Sequence, residues 1–174
     1  MELTVFRISR FRLFVEEVYI DLKSPTILIG PNNEGKSTIC DALNIFFSQG
    51  IIRRRLKTRF VYGPGSSNRG TYDILRDYPM QIHTGRRWPT EFKATFKIEQ
   101  HDQKYLPDSI NKKESIDVIR KWSYENEEMT TEIEGLAEEQ VIQVIRYINR
   151  SIKFVLVPAI REERTLGSIF GASF

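Results

Sequence analysis

Apolar and polar residues alternate along the beginning of the chain. Residues 3–9 and 12–22 each place apolar side chains at about every second position, a pattern that predicts two strands. The next segment, "SPTILIG" at 24–30, is continuously apolar after its proline, as a buried central strand would be. Over 36–49 the apolar positions recur every three or four residues, which predicts a helix.

The second half of the chain contains four further periodic segments. Residues 91–100 alternate strictly and predict a half-buried strand. Residues 114–135 predict a charged antiparallel hairpin, with a helix over 113–122 as the alternative. The apolar stripe over 136–152 predicts a helix, and "KFVLVPA" at 153–159 predicts a second buried strand.

The composition is that of one soluble domain. The 174 residues, 40% apolar and 28% charged, can bury a core of their own. No apolar run approaches the roughly 20 residues of a membrane span, and the alternating N-terminus does not resemble a signal peptide. The single cysteine, Cys40, is expected to be a small helical core residue. These features favour a cytoplasmic protein without a membrane partner.

The chain divides into four parts by pattern. Residues 1–50 hold strands, a glycine-containing loop and a helix, and residues 51–90 are basic and irregular. Residues 91–150 hold antiparallel strands and a helix, and residues 151–174 begin with a strand.

The net charge of +3 is unevenly distributed, because acidic residues concentrate over 125–139 and basic ones follow the first helix. The basic cluster consists of Arg53, Arg54, Arg55, Lys57 and Arg59. Such a cluster would neutralise DNA phosphates without reading sequence, and a solvated surface segment is the alternative. Trp88 would either stack on a nucleic-acid base or pack beside its neighbouring proline.

Residues 30–37, "GPNNEGKS", match the phosphate-binding pattern G-x-x-x-x-G-K-[ST] at every fixed position. Successive backbone N–H groups from about Asn33 to Thr38 would line an anion site at the beginning of the helix. Lys36 would place its ammonium between the β- and γ-phosphates, and Ser37 would offer its hydroxyl to Mg²⁺. A random chain of this length would match the pattern in about one case in 200, so a turn without a ligand is the weaker alternative.

The motif therefore predicts ATP and Mg²⁺ as ligands. The predicted nucleotide-binding residues are Gly30, Asn32, Asn33, Glu34, Gly35, Lys36, Ser37 and Thr38, with Ser37 also the magnesium ligand.

Residues 5–45 resemble the opening of the ABC-type ATPase heads of the SMC, RecF and OLD (overcoming lysogenization defect) families. The shared pattern is an I-x-x-F-R strand, a second strand, an apolar strand ending I-G-x-N-x-x-G-K-S, and a helix carrying D-A-[LI]. The matching positions here are Ile8, Phe11, Arg12, Ile29, Gly30, Asn32, Gly35, Lys36, Ser37, Asp41, Ala42 and Leu43. In addition, "FVLVPAIREER" at 154–164 resembles the P-A-x-R turn of OLD-type ATPases, which favours an OLD-like ATP-dependent endonuclease.

The resemblance implies the fold class and the partners. The fold would be an α/β P-loop NTPase, the first lobe of an ABC-type head, with a mixed sheet, antiparallel strands and a P-loop helix. ATP would clamp it to a second head, in a homodimer or oligomer that acts on DNA in repair or anti-phage defence. Arg12 would lie near the phosphates, with an exposed strand residue as the alternative. Arg161 stands where other heads carry a glutamine loop, and a surface arginine is the alternative there.

Several parts of a hydrolytic site do not occur in the sequence. A Walker B strand, an apolar run followed by Asp-Glu, supplies the Mg²⁺ ligand and the base that activates water. Neither that strand, nor an S-G-G-type signature, nor a TOPRIM nuclease domain is found. In the resembling families these parts follow a long insertion, which residues 151–174 are expected to begin. We therefore expect no catalytic residue in this chain, and ATP binding without turnover.

Two other functional classes stay open on the sequence. A small P-loop nucleotide or phosphoryl-transfer enzyme would need a substrate lid and a second acid on a strand. Its loop would also normally follow the first strand, whereas here it follows the third predicted one. A non-catalytic module in which ATP only stabilises a dimer is the other class.

Overall fold

The computed structural model describes residues 1–48, 71–79, 88–123 and 128–155. These residues form a five-stranded antiparallel sheet with two longer helices and one short one. In chain order the elements are β1 (Glu2–Ser9), β2 (Val18–Asp21), α1 (Lys36–Ser48), α2 (Ile74–Asp77), β3 (Thr90–Lys97), a 3₁₀ turn (Gln103–Tyr105), β4 (Ser115–Trp122), β5 (Met129–Ile133) and α3 (Glu138–Ser151). None of the helices in these ranges is long and apolar enough to cross a bilayer.

The sheet has the strand order β2-β1-β3-β4-β5, so β3 lies in the middle. All four pairings are antiparallel. Because side chains alternate along a strand, every second residue of β3 faces the core, and Phe92, Ala94 and Phe96 are fully buried. The register aligns Phe6 of β1 with Ala94 and sets Phe92 opposite Arg120 of β4.

Helix α1 packs its apolar face on this sheet. The ring of Phe46 meets Phe6 edge to face, with ring centroids 5.6 Å apart, and lies beside Phe96. The guanidinium of Arg120 sits 4.9 Å from the centroid of the Phe46 ring in the same layer. Burial lowers the pKa of Arg120 to about 10, because desolvation disfavours the charged form. The core is thus in place directly behind the helix that follows the glycine-containing loop.

Helix α3 adds to the same core and is tied to the beginning of the chain. Its buried residues are Val141, Val144, Ile145 and Ile148, and three of them, Val141, Ile145 and Ile148, belong to the predicted stripe. Tyr147 donates a hydrogen bond to the buried carboxylate of Asp102, which also pairs with the N-terminal ammonium of Met1 at 2.8 Å.

Asp102 is a carboxylate stabilised in its charged form. Burial acts to raise the pKa of Asp102. Hydrogen bonds from the N-terminal ammonium, Tyr147 and the backbone N–H of Glu99 outweigh burial and lower that pKa. The charged carboxylate therefore stabilises the folded state.

Most of the predicted elements are confirmed. The P-loop helix, the half-buried strand at 90–97, the antiparallel strand pair 115–122 and 129–133, and the helix at 138–151 all form. The alternative of a helix over 113–122 is wrong, because these residues form β4 with strictly alternating burial. The α/β fold class is confirmed as well.

In the described residues one strand prediction is confirmed only in part, and one is wrong. The second strand, predicted over 12–22, is only four residues long, because residues 11–14 close a tight turn. The apolar segment at 24–30 forms no strand, and Ile27 and Ile29 are 75% and 90% exposed. No described strand lies beside this segment, so its backbone has no ladder to join.

The other predicted buried strand, at 153–159, reaches beyond the described residues. Its first three residues form no strand, and Val155 is 61% exposed. The predicted sheet was mixed, whereas every described pairing is antiparallel.

Candidate nucleotide-binding site

The glycine-containing loop leads directly into α1, which begins at Lys36. Asn33 and Gly35 adopt positive φ values of 67° and 96°, and these turn the chain into the helix. The backbone N–H of Ile39 donates to Gly35 at 2.9 Å, the first helical hydrogen bond. The first turn of α1 contains no acidic residue, although Glu34 precedes it in the loop.

The side chain of Lys36 folds back over the loop. Its Nζ donates to the backbone oxygen of Gly30 at 2.6 Å and also to that of Pro31. Ser37 is exposed at the beginning of α1, and Asn32, Asn33 and Glu34 are exposed as well. An anion can therefore approach the loop from solvent, where it would find an ammonium, a hydroxyl and a helix N-terminus.

Gly35 is fixed as glycine by its surroundings. A Cβ at this position would lie 2.5 Å from Cζ and 2.9 Å from Cε1 of Phe14, and 3.4 Å from Cδ1 of Leu13. Carbon atoms pack best at about 3.5–4.0 Å, so the space is already filled. The loop backbone is thus seated directly on the turn formed by residues 11–14.

That turn, which we call the arginine turn (residues 11–14), is a two-residue connection. Phe11 and Phe14 exchange both backbone hydrogen bonds at 2.9 Å. Arg12, the first central residue, has a φ of 52°, which is uncommon for a residue with a side chain. Phe11 is fully buried and holds the turn to the core through an edge-to-face contact with Phe92, ring centroids 5.0 Å apart.

Two arginines and two aspartates form a charge cluster at the arginine turn. Arg12 donates to Asp41 of α1 and, from Nε, to Asp77 of α2 at 2.9 Å. Arg76 donates to both carboxylate oxygens of the same Asp77, at 2.8 and 2.6 Å. The cluster joins α1, α2 and the turn, and its two arginines balance its two aspartates.

The structure brings most of the predicted nucleotide-binding residues together on one loop. Those at positions 30 and 32–38 are contiguous, and Arg12 is linked to the helix they begin through Asp41. Arg12 is neither a strand residue nor fully exposed, since it lies in a turn with its side chain 24% exposed. Sequence reasoning missed Asp77, Leu13 and Phe14. Asp41 was recognised only as part of the D-A-[LI] motif. In the structure its carboxylate accepts a hydrogen bond from Arg12, the arginine of the F-R motif.

Other predicted residues are elsewhere or not described. The basic cluster at 53–59 and Arg161 lie outside the described residues. Trp88 is 55% exposed, and its backbone oxygen accepts a hydrogen bond from Tyr78. Cys40 on α1 is half-buried, and burial together with the neighbouring charge of Asp41 raises the pKa of its thiol.

The residues present fit a bound nucleotide phosphate with its magnesium ion. The loop carries glycine at the position where a Cβ has no room, so its backbone can lie against the arginine turn. The ammonium of Lys36 rests on two carbonyl oxygens and can exchange them for phosphate oxygens. The exposed hydroxyl of Ser37 is the hard oxygen ligand that Mg²⁺ prefers.

The sequence and the fold of this chain resemble those of known ATPases. The profile of the AAA ATPase domain family matches residues 1–153. The fold is similar to a solved structure described in terms of the ATP-driven dimerization and DNA-stimulated activation of SMC ATPases. The similarity has a TM-score of 0.52 at 16% identity and covers 88% of this chain and 81% of the other.

No curated protein sequence matches this chain. The family profile spans the loop, α1, the arginine turn and the whole described sheet. The chain belongs to the AAA ATPase domain family.

Proposed function

We propose that this chain binds MgATP through residues 30–38 and serves as the nucleotide-binding lobe of an SMC-like ATPase that acts on DNA. The observation that carries the proposal is the beginning of α1, where Lys36 and Ser37 stand in a first helical turn that contains no acidic residue. Gly35 precedes them with a positive φ of 96° and with no room for a Cβ beside Phe14, a backbone conformation that suits glycine.

The roles of the residues follow from their chemistry. Backbone N–H groups from about Asn33 to Thr38 bind phosphate oxygens with the help of the helix dipole. Lys36 releases the loop carbonyls and neutralises the β- and γ-phosphates, and Ser37 holds the magnesium ion. Magnesium, held by Ser37, would supply positive charge that neutralises the phosphates.

We further propose that hydrolysis needs acids from another lobe, because the chain contains no Walker B sequence. Exposure of the apolar residues beside the loop supports this. Ile27 and Ile29 present 75% and 90% of their surface to solvent, and a strand from the further lobe would cover them. A second head would join through ATP, as the SMC ATPase similarity suggests.

The narrower proposal is an OLD-like ATP-dependent endonuclease in repair or anti-phage defence. It rests on the P-A-x-R sequence at 158–161, and the DNA partner rests also on the basic cluster at 53–59.

The test is MgATP binding and phosphate release by the 174-residue chain. A fluorescent ATP analogue is titrated in the presence of Mg²⁺, and phosphate is followed in the same samples. Lys36→Ala should abolish binding, because it removes the one side-chain cation of the loop. The matched control is Lys23→Ala, since Lys23 is 80% exposed and pairs only with Asp21 at 3.1 Å among the described residues.

We expect wild type and Lys23→Ala to bind equally, and neither to release phosphate faster than Lys36→Ala. Binding that survives in Lys36→Ala would refute the site. Turnover that depends on Lys36 would refute the need for another lobe and would favour a complete small P-loop enzyme.

A further inference from the structure

The carboxylate of Asp77 is the anchor of the charge cluster around the arginine turn. Its side chain is fully buried, and its oxygens accept hydrogen bonds from Arg12, from Arg76 and from the backbone N–H of Asp73 at 2.9 Å. Its backbone oxygen accepts from the N–H of Arg12 at 2.6 Å. Asp77 therefore accepts hydrogen bonds from Arg12 through both its backbone oxygen and its carboxylate.

The unfavourable backbone conformation of Arg12 requires stabilising contacts of this kind. A residue with a side chain that is held at a φ of 52° costs about 1–2 kcal/mol relative to ordinary conformations, and such strain persists only where surrounding contacts over-determine it. The preceding Arg10 is strained in the same way, at a φ of 53°, and its Nε donates to the backbone oxygen of Pro89 at 2.5 Å. The arginine turn and the preceding Arg10 are thus held in their conformations by hydrogen bonds to segments distant in sequence.

The turn in its strained shape is what the phosphate loop rests on. Phe14 and Leu13 fill the space beside Gly35, and Arg12 also pairs with Asp41 one to two turns into α1. A shift of the turn would therefore move Gly35 and the start of α1, which carry the N–H groups that are to face the phosphates. The chain of contacts that connects Asp77 to the phosphate loop therefore runs from Asp77 through Arg12 and Phe14 to Gly35.

We propose that Asp77 is a positioning residue for the nucleotide site: it holds the arginine turn against Gly35 and so sets the loop in its phosphate-binding geometry. The inference rests on the proposed function and names a residue outside the loop that this function depends on. Asp77 does not itself touch the nucleotide. Its effect passes through Arg12, whose forked guanidinium reaches Asp77 and Asp41 at once.

The experiment measures the affinity of the 174-residue chain for a fluorescent ATP analogue with Mg²⁺ in three variants. Asp77→Asn keeps the shape and removes the charge that holds Arg12. Asp117→Asn is the matched control, because Asp117 also pairs with a cation, Lys93 at 2.7 Å, but lies on β4 away from the loop. Arg12→Lys keeps the charge and loses the fork. Each titration is run below the thermal transition of the variant, which circular dichroism records.

We expect Asp77→Asn and Arg12→Lys each to weaken binding roughly tenfold, the usual effect of losing an outer partner that orients a binding group. Asp117→Asn should bind within about twofold of wild type, since its lost pair is remote. A merely structural Asp77 would lower the melting temperature and leave the affinity of the folded protein unchanged, and that result would overturn the proposal.

The remaining outcomes are also decisive. If Asp77→Asn does not fold, Arg12→Lys carries the test, and wild-type affinity in that variant would overturn the proposal. If wild type binds the analogue in a Lys36-dependent manner and Asp77→Asn binds equally well, only this inference fails. If wild type does not bind at all, the proposed function fails, and this inference fails with it.

Discussion

Replacement of Gly35 by alanine tests the contact between the phosphate loop and the arginine turn. Two terms contribute to its cost. The φ of 96° disfavours any side chain by about 1–2 kcal/mol. The new Cβ would also lie 2.5 Å from Cζ of Phe14, about 1 Å inside a comfortable carbon contact. Overpacking of this kind costs about 1–3 kcal/mol, so we expect a total loss of about 2–5 kcal/mol.

Gly135→Ala is the matched control, because Gly135 has a φ of 81° and no atom within 4 Å of its added Cβ. Gly135→Ala should therefore lower the free energy of unfolding only by the cost of the unfavourable backbone conformation, about 1–2 kcal/mol. Urea unfolding followed by circular dichroism gives both free energies of unfolding, and equal slopes make the midpoints comparable. The difference between the two variants isolates the steric term.

A second comparison identifies the atom responsible. Removing the ring in Phe14→Ala should relieve the clash, so that Gly35→Ala costs only the backbone term in that background. The two substitutions should therefore show an interaction energy of about 1–3 kcal/mol in a double-mutant cycle. If Gly35→Ala and Gly135→Ala lose the same free energy, or if the cycle shows no coupling, the seating of the loop on the turn is refuted.

Three further predictions follow from other parts of the molecule. Replacement of Arg53, Arg54 and Arg55 by glutamine should weaken DNA binding. It should also reduce the slope of log affinity against log salt concentration by up to about 3, measured by titration at several salt concentrations. Unchanged DNA affinity would show that these residues are not part of the DNA interface. Asp102→Asn should lower the free energy of unfolding by about 2–3 kcal/mol at neutral pH, because charged hydrogen bonds are lost. Since the folded-state pKa of Asp102 lies below its usual value of 3.8, this contribution is complete above that value and disappears as pH falls through the folded-state pKa; a difference between variants that persists in strong acid would contradict it. Ile29→Asp should change the free energy of unfolding by less than about 0.5 kcal/mol, since Ile29 is 90% exposed; a loss of several kcal/mol would mean that this segment is buried.

The sequence was informative wherever a local pattern repeats. Alternation over 91–98 and 114–122 predicted β3 and β4 correctly, because side chains of a strand alternate between two faces whatever the partner strand is. The apolar stripes of α1 and α3 were equally clear. The phosphate loop was recognisable for a related reason, since its function depends on eight consecutive residues.

Patterns failed where burial depends on a partner outside the segment. Residues 24–30 have the composition of a buried strand, but a strand requires a neighbour, and the described part of the sheet offers none beside it. The turn at 11–14 was read as part of a strand because its apolar positions continue the alternation, and only the backbone shows that Arg12 reverses the chain.

The sequence by itself determined β3, β4, α1, α3 and the chemistry of the loop, because each depends on residues close together in the chain. Only the tertiary structure decided what stands behind the loop. Arg12, Asp41 and Asp77 are separated by 29 and 36 residues, and no local pattern predicts that their charges meet. They meet because α1, α2 and the arginine turn pack on one sheet, and a buried charge there must find an opposite one.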